Sequence, residues 1–161
     1  NFEKKMYGLS YSILQLGSVY GPGAKLTNLI SRLIYESIQE GNMKHFGTGK
    51  EIRQYIFIKD VVNQAIKLIN QTYKNKKIIL VGNERITITQ LMNKIISLLE
   101  SNIKKTYELN DYRIHYKSSP FDITTENAIQ LDFNNHTKLK SGLVETINSI
   151  KDNLNKKKLY N

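Results

Sequence analysis

The sequence contains no cysteine, so it can build neither a disulfide framework nor a thiolate metal site. It has no apolar run of membrane-spanning length. Its opening residues lack the apolar stretch of a secretory signal. No membrane partner is expected, and a cytoplasmic protein is. Acidic residues are scarce: 14 Asp and Glu stand against 24 Lys and Arg, a formal charge of +10. The acidic residues are scattered, and His45, His115 and His136 lack metal-ligand spacing. No metal site is therefore expected, and each histidine reads as structural or exposed.

A charge of +10 raises the question of nucleic acid, whose phosphates clustered lysines neutralise. Here the lysines gather in turns and at helix ends, at 74 to 77, 104–105 and 156 to 158. No basic helix interleaved with aromatics appears, so a solvated basic surface is expected rather than a nucleic-acid partner. Such a surface still concentrates anionic small molecules. The remaining composition is that of a folded domain. Of 161 residues 40% are apolar, enough for a core, and the length suits one domain or one domain plus part of another. The chain opens on Asn1 rather than Met. Asn1 to Gly8 reads as the tail of a helix ending at glycine, and a fragment is expected.

Strands and helices alternate along the chain, which predicts an α/β fold. Residues 11–16 read as a buried strand and 17–23 as a Gly/Pro loop. Thr27 or Asn28 caps a helix to about Gln39. Residues 44–46 form a short strand, 47–49 a glycine turn, and 55–58 another strand. Asp60 is expected to cap a helix that buries Val61, Val62, Ala65, Ile66 and Ile69. A strand over 77–81 ends at Gly82, and Thr87 or Thr89 opens an apolar-faced helix carrying Leu91, Ile95 and Leu99. A short strand is expected over 105–109. Residues 110–131 carry no clear pattern, and Asp132 is expected to cap a short helix. A last helix starts at Ser141-Gly142, with Leu143, Val144, Ile147 and Ile150 apolar.

The densest signal lies in residues 17–60. An apolar strand ends in Ser18-Val19-Tyr20-Gly21-Pro22, a helix follows, then Gly47-Thr48-Gly49, then Arg53 opening an aromatic strand that ends near Asp60. A third block, Ile78 to Leu99, is an apolar strand ending in glycine and a Thr-capped helix. In this order the blocks resemble the C-terminal half of the extended short-chain dehydrogenase/reductases, the NAD-dependent nucleotide-sugar epimerases and dehydratases. Weaker matches at Pro120-Phe121-Asp122 and Leu139 to Ile150 extend the resemblance over nearly the whole chain. It implies that residues 1–161 form the substrate-binding portion. The early strands would complete a Rossmann-like parallel sheet, and a small mixed α/β domain would cover the ligand cleft.

The resemblance also implies NAD or NADP, bound mainly by an N-terminal half that this sequence does not contain. It implies a nucleoside diphosphate sugar as substrate and a homodimer when full-length. Hydride would shuttle between sugar and nicotinamide. No catalytic residue is expected here, because the Tyr-x-x-x-Lys helix belongs to the other half, and the chain alone should catalyse nothing. Two strings mimic that motif. Tyr55 to Lys59 falls on a predicted strand, where four residues span about 13 Å. A helical turn brings such a pair to roughly 6 Å. Tyr73 to Lys77 falls in a charged loop. Neither glycine turn completes a Gly-x-Gly-x-x-Gly fingerprint.

Arg53 is the first candidate ligand residue, because a guanidinium fork holds two phosphate oxygens at once. The competing role is a surface ion pair with Glu51 or Asp60. Asn28 and Leu29 match the start of a helix whose N–H groups and dipole favour phosphate. Lys44 and Phe46 match the strand beside the nucleotide base, and Tyr55 a tyrosine near sugar or phosphate. Ser18 stands where the family has a substrate-bonding asparagine, and Gln54 where it has an aspartate. Asp122 matches an acidic residue on the nucleotide ribose, with Ser119 in place of a nearby arginine. Leu16 and Val19 fall beside the expected cofactor. The alternative reading is a non-catalytic module that binds a nucleotide or protein partner, or a basic nucleic-acid binder.

Overall fold

The computed structural model describes residues 2–69, 73–109 and 128–159. After a short helix α1 (Phe2–Tyr7), strand β1 (Ser12–Leu16) runs parallel to β5 (Lys76–Leu80). Leu14 lies opposite Ile78 and Leu16 opposite Leu80. Strand β8 (Ala128–Gln130) adds on the far side of β5, also parallel, giving the order β1-β5-β8. This is the expected parallel sheet, with its first two strands where the sequence places them.

A second sheet has the order β2-β4-β6, from β2 (Ser18–Tyr20), β4 (Ile52–Phe57) and β6 (Arg85–Thr87). β2 and β4 are parallel, while β4 and β6 are antiparallel with Arg53 opposite Ile86. A third pairs β3 (Asn42–Phe46) in parallel with β7 (Lys104–Glu108). The mixed pairing agrees with the α/β expectation.

Two glycines let the first two sheets pass each other. The Gly17 amide donates to the Leu80 carbonyl at 2.8 Å. A Cβ at Gly17 would sit 2.9 Å from the Gln54 carbonyl oxygen. At Gly82 a Cβ would collide with the Tyr55 carbonyl. Any side chain at these crossings would push β4 away from β1 and β5. Gly17 also explains one departure from expectation: the Gly/Pro loop is interrupted by β2, because the chain leaves one sheet and enters the next with a single residue between.

Helix α2 (Leu29–Glu40) begins and ends as its sequence dictates. The Asn28 side chain accepts from the amides of Ile30 and Ser31, at 3.1 and 3.4 Å, and Gly41 closes the helix in the left-handed region. Its apolar stripe, Ile30, Leu33 and Ile34, is fully buried. Helix α4 (Ile88–Leu99) starts with a capping box between Thr87 and Gln90. Helix α5 (Leu139–Leu159) starts two residues before the expected position. Its glycine, Gly142, lies inside the helix against the Tyr20 hydroxyl and the Phe57 ring, where a Cβ would not fit. Leu143 and Ile147 bury beside it, while Val144 turns outward.

Helix α3 (Ile58–Leu68) departs most from expectation. β4 already begins at Ile52 and ends at Phe57, and Ile58 starts the helix. Asp60 is not its cap: the buried carboxylate accepts the Thr137 amide at 2.9 Å and the Thr137 hydroxyl at 2.8 Å. It ties the helix to the segment before α5. Two apolar stripes also compete on α3. Val61 and Leu68 face the sheet, with Gln64 buried between them. Val62, Ile66 and Ile69, expected to be buried, are 48%, 61% and 82% exposed. Asp132 caps no helix: residues 131–138 are non-helical, and its exposed side chain lies 3.9 Å from His136.

Candidate ligand cleft

Strands β2, β3 and β4 and the amino end of α2 converge on a cleft of about 380 Å³. β4 carries Arg53 and, two residues on and on the same face, Tyr55. Arg53 is half-buried, and its Nη1 donates to the Ile52 carbonyl at 2.8 Å. The two carboxylates offered as its ion-pair partners are engaged elsewhere: Glu51 by Thr48 and His45, Asp60 by Thr137. Tyr55 is 8% exposed, and its hydroxyl has no hydrogen-bond partner among the described residues. Burial pushes its pKa up, against the pull of the Arg53 charge. The phenol therefore stays neutral, with a proton to donate.

The helix end is fixed by Asn28. While its Oδ1 caps α2, its Nδ2 donates to the Val19 carbonyl at 2.8 Å, binding helix to strand. Both ends of that amide are thus engaged within the protein. Asn28 shapes the cleft and leaves the Leu29 amide, which it does not cap, at the positive end of the helix.

His45 forms the floor and Glu51 lies behind it, 3% and 5% exposed. His45 Nε2 lies 3.1 Å from Glu51 Oε2. The other oxygen, Oε1, accepts the Thr48 amide at 2.7 Å and the Thr48 hydroxyl at 2.9 Å. Burial works to raise the Glu51 pKa. The bonds from its own amide, Thr48 and His45 outweigh burial and hold it down to about 2. Gly47 closes over the pair: a Cβ there would lie 2.7 Å from both Glu51 Oε1 and His45 Nε2.

Of the residues singled out from sequence, the fold gathers Ser18, Val19, Asn28, Leu29, Phe46, Arg53 and Tyr55 into this one cleft. Lys44 is not on its wall. Its ammonium lies 5.2 Å from the Phe46 ring centre and is drawn to Glu108 of the paired strand β7, at 2.6 Å. Leu16, at the end of β1, is 37% exposed and also off the wall. Asp122 and Ser119 lie outside the described residues. The Tyr55–Lys59 string straddles a strand and a helix, with Lys59 paired to Glu145 at 2.6 Å, so it forms no helical pair.

Sequence reasoning missed Thr27, Arg32, His45 and Ile88 on the wall. For Arg32 a signal existed: it falls four residues after Asn28, one helical turn along the same face. His45 carried none, since its partner Glu51 is reached only when the glycine turn folds back.

The pattern of the NAD dependent epimerase/dehydratase family matches residues 3–82. The UDP-glucuronate 4-epimerase of Thermodesulfobacterium geofontis is 27% identical over 151 residues, covering 92% of this chain and 46% of that protein. Among solved structures, the UDP-glucuronic acid 4-epimerase of Bacillus cereus, in complex with UDP-glucuronic acid and NAD, superposes with a TM-score of 0.80 at 18% identity. That match covers 94% of this chain and 48% of the other. The UDP-glucose 4-epimerase of Thermotoga maritima, with UDP-glucose, gives 0.73 at 21% identity, covering 95% and 50%. These structures share the fold. The chain spans about half the length of the relatives it matches.

Proposed function

We propose that this chain, whose residues 3–82 match the NAD dependent epimerase/dehydratase family, is the substrate-binding portion of a nucleotide-sugar epimerase or dehydratase. The cleft takes the diphosphate of a nucleoside diphosphate sugar. One observation carries this reading: the Arg53 guanidinium and the amino end of α2 meet in the same cleft. A guanidinium and a helix N-terminus both favour a dianionic ligand, and they act from two rigid elements. The buried Tyr55 hydroxyl, without a hydrogen-bond partner among the described residues, adds a donor that a ligand oxygen would satisfy. Phe46, half-buried on the wall, offers an aromatic surface for a base or sugar. The UDP-sugars held by the two solved relatives support that ligand class.

The dinucleotide is a different matter. Val19 on the cleft wall and Leu16 at the end of β1 offer it apolar contact. Their side chains supply no donor for its phosphates or riboses. NAD or NADP would bring hydride chemistry to the complete enzyme. The residues described here bind and orient substrate, and no hydride or proton step is assigned to them.

The test is calorimetric titration of UDP-glucuronic acid and UDP-glucose into the protein and into Arg53→Ala. Affinity should fall by about tenfold or more, the worth of charge-assisted bonds to a phosphate. Unchanged affinity would refute the reading. So would binding that falls steeply with salt and ignores the ligand's sugar and Arg53 alike, the signature of a nucleic-acid surface.

A further inference from the structure

Arg32 lines the cleft from α2, while Arg53 lines it from β4. Its guanidinium is held before any ligand arrives. Nη1 donates to Glu36 Oε1 at 2.7 Å and to the Lys44 carbonyl at 2.8 Å. The other oxygen of Glu36 accepts the Lys44 amide at 2.9 Å, so the carboxylate bridges helix and strand. The guanidinium carbon lies 5.4 Å from the Phe46 ring centre, and the side chain is 22% exposed. A guanidinium carries five N–H donors, and Nη1 accounts for two. The three on Nε and Nη2 find no hydrogen-bond partner among the described residues.

We propose that Arg32 is a second phosphate-binding residue of the cleft, donating from its Nε and Nη2 edge to the outer phosphoryl group of the diphosphate, the one that Arg53 does not cover. The inference rests on the diphosphate reading above. Its physical basis is preorganisation. A long side chain normally loses rotamer freedom when it grips a ligand. Here Glu36 and the β3 backbone have already taken that freedom away. Glu36 also offsets the charge, so Arg32 acts through directed donors more than through net charge. A lysine, with one nitrogen and no planar edge, cannot reproduce this.

The experiment compares UDP with UMP, which lacks the outer phosphate, by calorimetry on the protein and on Arg32→Gln, Arg32→Lys and Arg53→Gln. Arg32→Gln should weaken UDP by about tenfold and UMP by less than about threefold. Arg32→Lys should not restore the UDP preference. If Arg32→Gln does not fold, Arg32→Lys alone decides, because it keeps the charge and most of the packing.

Equal loss for UDP and UMP would overturn the proposal, because it marks Arg32 as a mere tie between α2 and β3. Unchanged UDP affinity in Arg32→Gln would overturn it too. In that case a loss in Arg53→Gln leaves the diphosphate reading standing. If neither substitution alters UDP affinity, that reading falls as well.

Discussion

Around the β2-β4-β6 sheet, sixteen buried side chains of the described residues form one cluster, closed by α2, α4 and α5. Around β1-β5-β8 the corresponding cluster has five, with α3 on it. The first region covers its apolar surface. The second leaves Ile13 of β1 at 41% exposure and the Val62, Ile66 and Ile69 stripe of α3 bare, and β1 has an unpaired edge among the described residues. The cleft belongs to the closed region. A preorganised site needs side chains locked by packing on several sides, and the open sheet provides that on one face. Gly17 and Gly82 mark where the two regions meet.

The largest expected effect compares the two cores. Leu91→Ala, in the closed cluster at 0% exposure, should cost about 2–5 kcal/mol. Leu14→Ala, half-buried on the open sheet, should cost about 1 kcal/mol. Chemical denaturation of both variants reads the difference, and equal costs would break the distinction.

Acid should act next, through Glu51 behind the cleft floor. The Glu51 pKa is held down to about 2, below the ordinary 4.5. A carboxylate depressed on folding contributes stability that is full above its unfolded value and lost as pH falls towards its folded one. Melting temperature should therefore decline between about pH 4.5 and 2, and Glu51→Gln should flatten that decline. An unaltered pH profile would remove the buried pair from the closed region's supports.

The smallest effect on stability should come from the bare stripe. Ile66→Lys with Ile69→Lys should alter stability by less than about 0.5 kcal/mol. The same change should reduce self-association in analytical ultracentrifugation, since exposed apolar faces drive it. A large loss of stability would show that the stripe is covered.

The same contrast explains what the sequence made legible. Helix α2 could be read because Asn28 and Gly41 punctuate it and one apolar stripe runs between them. Arg53 and Asn28 could be placed because each lies at an element boundary with a glycine or proline nearby. Helix α3 was misread because it carries two stripes, and periodicity does not tell which faces the sheet. Three-residue strands such as β2 and β6 are too short to show alternation. Lys44 and His45 needed the β3–β7 pairing and the folded glycine turn, which join residues distant in sequence and carry no local signature. Arg32 was not singled out, because what fixes it is the Lys44 carbonyl of a strand twelve residues on, together with Glu36.

The most direct measurement is a nitrogen–proton correlation spectrum of the protein titrated with UDP-glucose. The amides of Ser18, Leu29, Phe46, Gly47 and Tyr55 should shift together with one affinity, while those of β1, β5 and the exposed stripe of α3 stay in place. Shifts concentrated in β1 and α3, with the cleft amides unmoved, would contradict the assignment of the ligand to the closed region.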